Sequence, residues 1–276
     1  MTDDPTIAYD LFKQFERDKF SLVAQKYDQA IAAVTSQVNE AILDAVGAKC
    51  GLRLLDVACG TGWLSAAALK REAIVTGLDY AENMVAIARV RSPQASFHNG
   101  DAENLPFESG QFKAVVCNLG ILHFPKPERA IAESFRVLKP GGRYAFTCWT
   151  PPTCNPFMAL ILGSVQTYGS MDLDLPPGPP LFRFGERGEC ERVLIAEGFT
   201  EVSVTELPMK WTFSTPEDVM AKVVVSTARL GTILAMQTLE QRRNIENAII
   251  DGASNYATDS GVEIPASIML AVGYKP

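Results

Sequence analysis

Three acid-bearing turns stand out in the first half of the chain, each directly after a short apolar run. In LLDVACGTGW, residues 54 to 63, the run carries Asp56 and enters a turn with Gly60 and Gly62. Glycines there allow unusual backbone angles and let a ligand lie against bare peptide. In VTGLDY, residues 75 to 80, Asp79 closes the run nineteen residues past Gly60. A carboxylate at that place in a nucleotide-binding α/β domain takes both hydroxyls of a ribose, because it offers two acceptor oxygens. In NGDAENLPF, residues 99 to 107, Asp101 can meet an adenine through its carboxylate and Ala102 through its backbone N–H, the small side chain leaving room for the ring. There are two histidines. His98 ends an apolar run and reads as structural, while His123, in NLGILHFPKP, falls where a ligand would bind. Near pH 7 an imidazole is the side chain best suited to take a proton, so His123 is the candidate for catalysis or substrate orientation.

The elements that must position these residues are legible as alternating strands and helices. Strands are expected over 52–58, 73–79, 95–98, 113–118 and 143–149, with crossover helices such as 81–91 and 127–138 between them. Apolar strands separated by helices specify a doubly wound α/β domain, its sheet mostly parallel and covered on both faces. Asp4 and Pro5 open a helical N-terminal arm that runs to about residue 47. Past Trp149 the pattern changes: residues 151 to 185 hold seven of the 17 prolines and read as a short helix followed by an irregular loop. A helix over 186–197, ended by Gly198, and a strand over 200–207 come next. Two more helices then start at Thr215-Pro216-Asp218 and at the Thr238/Gln241 capping box, and a seventh strand, 266–274, closes the chain. One domain is expected, divided into an arm or lid (1–47), a cofactor-binding core (48–150), cap segments (151–183 and 209–262) and the remaining core (184–208 and 263–276).

Composition narrows the partners. The chain has 276 residues, 47% of them hydrophobic, enough to bury a large core. With 25 Lys and Arg against 32 Asp and Glu, the net charge of −7 excludes a general positive field for nucleic acid. The six cysteines lack the spacing of a zinc site or a disulfide scaffold, no cluster of His and carboxylates implies a metal, and no signal peptide or membrane span is visible. A cytoplasmic protein, monomer or homodimer, with a small-molecule partner is the expectation.

Taken together, the segments from Leu52 to Trp149 resemble the class I S-adenosylmethionine (SAM)-dependent methyltransferases, and more narrowly the ubiquinone/menaquinone-biosynthesis type. The resemblance implies a Rossmann-like, seven-stranded methyltransferase core with helical cap insertions, and SAM as cofactor with S-adenosylhomocysteine as product. It also implies residue roles. The segment matching Asp56 to Gly62, with Ala58 and Gly60, wraps the methionine part of SAM. Asp79 holds the ribose, with Tyr80 and Met84 beside it. Asp101 and Ala102 contact adenine, while Asn118 and Leu119 contact the methionine amino end. Tyr27, in KYDQAI, belongs to a segment that closes over the cofactor. VLKPGGR, residues 137 to 143, matches the family's turn into the fifth strand, made by Pro140, Gly141 and Gly142.

A dinucleotide dehydrogenase is the obvious rival, since Gly60, Gly62 and a later acid loosely satisfy its fingerprint. That fingerprint wants a third Gly where this chain has Ser65, and it leaves Asp56 beside a pyrophosphate. SAM carries an ammonium and a sulfonium, which an acidic loop suits. Methyl transfer is an in-line displacement that needs an aligned nucleophile and a dry site. Trp149, Phe157, Tyr168 and Trp211, with His123, are the candidates for lining a partly apolar substrate pocket. The core motifs serve equally a relative that binds SAM without transferring methyl, pericyclase-like or regulatory.

Overall fold

The computed structural model describes residues 5–223 and 227–276; the helix-start residue Asp4 lies outside them. The first five strands are β1 (Arg53–Val57), β2 (Ile74–Asp79), β3 (Ser96–Asn99), β4 (Phe112–Cys117) and β5 (Leu138–Trp149). They pair in parallel in the order β3-β2-β1-β4-β5. Helices α4 (Trp63–Lys70), α5 (Glu82–Arg91) and α6 (Pro127–Val137) supply crossovers. Because the strands are parallel, the turns after β1, β2, β3 and β4 emerge at one edge, and the order reverses between β1 and β4, which opens a crevice there. Buried Leu54, Leu55, Val115, Val116, Ala145 and Phe146 form the continuous apolar runs that a sheet covered on both faces requires.

The second half of the sheet is antiparallel. After α7 (Pro156–Tyr168), capped by Asn155 whose side chain accepts the N–H of Met158, and α8 (Arg187–Ala196), the chain forms β6 (Thr200–Phe213). Helices α9 (Glu217–Val223), α10 (Ala228–Ala235) and α11 (Leu239–Ser254) then lead into β7 (Ala257–Thr258) and β8 (Gly261–Tyr274). β8 inserts between β5 and β6 and pairs antiparallel with both, and β7 is a two-residue addition to β8.

Several elements differ from expectation: β5 begins at Leu138 and β8 at Gly261, each five residues early, and β7 is new. β6 runs on to Phe213 because Met209, Trp211 and Phe213 are buried while Lys210 and Thr212 are exposed, a period-2 alternation that continues the strand. This extension pairs with residues 262–267 of β8, beyond the last β5 partner, Ile268, so Pro265 stands on a free edge where its missing N–H is tolerated. Helix α10 is an addition to the two helices expected after β6. The arm is broken into α1 (Pro5–Ala30), α2 (Ala32–Thr35), a 3-10 turn and α3 (Asn39–Ala45). At the break Thr35 and Ser36 donate their hydroxyls to the carbonyls of Ala32 and Ala33, a local alternative to helix propagation. The Pro140-Gly141-Gly142 motif lies inside β5 as a kink where the register slips; Gly141, at φ +73°, donates to the carbonyl of Lys275 at 2.7 Å.

Candidate active site

Two adjoining cavities lie at the carboxyl edge of the sheet. The smaller, about 100 Å3, is the crevice itself, and is lined by Ala58 and Gly60 after β1, Asp79, Tyr80 and Met84 after β2, Asp101 and Ala102 after β3, and Asn118, Leu119 and His123 after β4. Tyr27 of α1 closes one side. Eleven residues read from the sequence as site residues are thus brought together from five parts of the chain.

Their geometry is held by the backbone. Asp79 accepts the N–H of Gly60 at 2.8 Å on one oxygen and that of Ala81 at 2.9 Å on the other, which ties the β1 turn to β2. Each oxygen keeps a further lone pair for a ligand hydroxyl. Burial raises the Asp79 carboxyl above its ordinary value, opposed by these same backbone hydrogen bonds. Ala58 and Leu119 hold φ of 55° and 54°, left-handed backbone that costs a non-glycine residue on the order of 1 kcal/mol. Both are over-determined: the N–H of Cys59 donates to Leu78 at 3.0 Å, and that of Leu119 to the Thr147 hydroxyl at 2.8 Å. A Cβ on Gly120 would stand 2.6 Å from Ala58 Cβ, so glycine lets these two turns touch behind the crevice. SAM fits this donor set. Acceptors at Asp79 suit a ribose, nothing within 4 Å fills the space beside Gly60, and Ala102 is small enough for an adenine to pass.

Asp56 and Gly62 lie outside the lining. Asp56 is buried and accepts the Ser65 hydroxyl at 2.7 Å, so it braces β1 against α4 rather than facing a ligand. Ser65 thus serves as the partner of Asp56. Gly62, at φ +85°, is the N-cap of α4, and a Cβ there would meet Ala88 at 3.0 Å, so it allows α4 and α5 to approach. Burial pushes the Asp56 carboxyl up to about 7, against the Ser65 hydrogen bonds. A carboxyl raised in the folded state stabilises fully below its unfolded value near 4, and that contribution is lost as pH rises through about 7. The Asp56→Asn variant is therefore expected to lose less stability than wild type between pH 5 and 8, by at most about 3 kcal/mol. Thermal melts across that range check this; parallel Tm profiles for the two proteins would contradict it.

Helix α1 adds residues that motif reading missed: Lys13, Glu16, Arg17 and Phe20 also line the crevice. Lys13 binds Asp101 at 2.6 Å and Glu103 at 2.7 Å, and these carboxylates hold its amine above the ordinary value despite burial. Further along α1, Asp28 accepts from Arg91 at 2.6 Å and from the Trp63 indole at 2.8 Å, which docks the arm on α4 and α5. Glu16, 5% exposed, pairs with His123 Nδ1 at 2.7 Å. With a carboxylate as partner, Nδ1 is the donor, and in a neutral ring Nε2 then carries the lone pair. Glu16 was invisible to motif reading because it is 107 residues from His123 in sequence.

The second cavity, about 410 Å3, is largely apolar and lies under α7, α10 and the β6 extension. Trp149, Phe157 and Trp211 line it, in a stack where Phe157 and Trp211 are 4.2 Å apart and Trp149 and Trp211 6.2 Å. Tyr168 does not. It ends α7 about three turns beyond Phe157, past the cavity, and is 48% exposed. Glu16, Phe20, Tyr27, Leu119 and His123 line both cavities, so they form the wall between them. Burial pushes the Tyr27 phenol up to about 12, which keeps it protonated near neutral pH. No helix among the described residues is long and apolar enough to cross a membrane.

Residues 55–146, from β1 into β5, match the family described as methyltransferase domain. Over those residues the chain is similar to a methyltransferase domain. It is 37% identical over 142 residues to a demethylmenaquinone methyltransferase of Renibacterium salmoninarum, an alignment that covers 50% of this chain and 60% of that one. The chain therefore spans less than two thirds of the length of that relative. Among solved structures, the YcgJ protein of Bacillus subtilis superposes with a TM-score of 0.58 at 16% identity, over 87% of this chain and 98% of that one. The geranyl diphosphate C-methyltransferase of Streptomyces coelicolor, solved with S-adenosylhomocysteine, superposes at 0.51 and 17% identity, over 87% and 79%. These structures share the fold of the chain.

Proposed function

We propose that the protein transfers a methyl group from SAM to a small, partly apolar metabolite in the 410 Å3 cavity. The observation that carries this reading is the shared wall. Five side chains line both cavities, so a molecule in the apolar one meets the cofactor crevice at His123. When bound, SAM supplies an electrophilic methyl on its sulfonium. Asp79, Asp101 and Ala102 hold its nucleoside part, and Asn118 and Leu119 lie toward its methionine end. Asn118 is braced for this by the Thr147 hydroxyl at 2.6 Å and the Thr35 carbonyl at 3.0 Å. The Trp149, Phe157 and Trp211 stack packs the acceptor and keeps water away from it. His123 Nε2 takes the proton of a hydroxyl or ammonium acceptor, while Glu16 fixes the ring and its tautomer.

Methyl-labelled SAM incubated with a panel of apolar phenols, quinols, hydroxy acids and amines is expected to label at least one of them. Label recovered only in added peptide or nucleic acid would overturn this reading, as would intact SAM beside an isomerised panel member.

A further inference from the structure

The walls of both cavities carry charge, and among the described residues each permanent cation but one has an acid beside it. Lys13 sits between Asp101 and Glu103, and Arg17 pairs with Asp18. The exception is Arg229, in the first turn of α10, which lines the apolar cavity half-buried. Among the described residues its guanidinium contacts the Pro176 carbonyl, at 3.1 Å, and lies 5.8 Å from the Phe12 ring centre, with no acid within ion-pair distance. A guanidinium has five donors and stays charged at any physiological pH, so one carbonyl leaves most of its capacity open toward an otherwise apolar chamber. A partly buried cation without a counter-ion is unfavourable unless something arrives to pair with it.

We infer that Arg229 anchors an anionic group of the substrate, which makes the acceptor an amphipathic carboxylate: apolar body, carboxylate at Arg229, methyl-accepting atom at His123. This rests on the reading of the apolar cavity as the substrate site. Helix α1 sets the spacing. Phe12, beneath Arg229, and Glu16, behind His123, are four residues apart on one face of α1, a rise of about 6 Å. Carboxylate and acceptor atom are then roughly one to two helical turns apart, about 5 to 10 Å. A guanidinium takes a carboxylate through two parallel N–H donors, which fixes direction as well as position, so the anchor decides which end of an apolar molecule reaches the base.

The test compares decanoate and 1-decanol, which share a chain and differ in charge, by calorimetric titration of the protein loaded with S-adenosylhomocysteine. Emission of Trp149 and Trp211 reports occupancy of the cavity. Decanoate is expected to bind at least tenfold more tightly than decanol. Arg229→Met is expected to bring the ratio close to one with decanol affinity unchanged, which also shows that the variant is folded, while Arg229→Lys keeps part of the preference. Equal binding of the two probes by the wild type, or a preference that survives in Arg229→Met, overturns the anchor and leaves the cavity reading standing. Failure of both probes to move the tryptophan emission overturns the cavity as the substrate site, and with it the anchor.

Discussion

Asp79→Ala is expected to weaken SAM binding about 100-fold or more. The carboxylate accepts two backbone N–H groups, from Gly60 and Ala81, and keeps lone pairs on both oxygens. Hydrogen bonds to an ionised acceptor contribute about 1.5 to 3 kcal/mol each, so losing two ribose contacts removes about 3 kcal/mol or more, a hundredfold at least. The same substitution frees the Gly60 N–H and loosens the β1 turn, so part of the loss comes from a less ordered crevice. Asp79→Asn separates the two contributions, since its amide oxygen can accept from one backbone N–H, and an intermediate affinity is expected. Calorimetric titration with SAM and S-adenosylhomocysteine measures both. A dissociation constant for Asp79→Ala within threefold of wild type would remove Asp79 from the ribose site.

The second large effect belongs to the pair behind the wall. His123→Ala is expected to lower kcat about 100-fold or more, the range for loss of a general base, with SAM affinity changed by no more than a few-fold. Glu16→Gln leaves a hydrogen-bonding group of the same size against Nδ1 but no longer dictates which ring nitrogen carries the proton, and about a tenfold fall in kcat is expected. As a positioning residue, Glu16 should act on kcat with KM nearly unchanged, and imidazole added to His123→Ala should restore part of the rate. Full turnover by His123→Ala would show that proximity alone drives transfer. A rise in KM without a fall in kcat in Glu16→Gln would assign Glu16 to binding.

Most of the cofactor crevice was legible in the residues, because its parts are local. A strand ending in an acid or entering a glycine turn is a short-range pattern, and parallel pairing carries each such ending to the same sheet edge. That is why Ala58, Gly60, Asp79, Tyr80, Met84, Asp101, Ala102, Asn118 and Leu119 converge as read. Asp56 shows the limit of the same reasoning. It sits in the right motif, yet strand alternation turns its side chain under α4 to Ser65, and motif reading does not register direction. The extension of β6 was encoded in the alternation from Met209 to Phe213, a signal present but read too short. The capping box at Thr238 and Gln241 was read correctly because both partners lie within one turn.

The substrate side was a matter of tertiary structure. Glu16 meets His123 across 107 residues, and Lys13 meets Asp101 across 88, through a helix whose own pattern announces only an amphipathic arm. The cavity exists because β6 outruns β5, which brings Trp211 onto Phe157 and leaves α10 to close the far wall with Arg229. By itself the sequence determined the class of fold, the strand ends and the acids and glycines they carry, since those depend on periodicity and on contacts a few residues apart. Only the tertiary structure decided which charges are paired and that Arg229 has no acid beside it among the described residues, because pairing depends on distances between elements that no local pattern specifies.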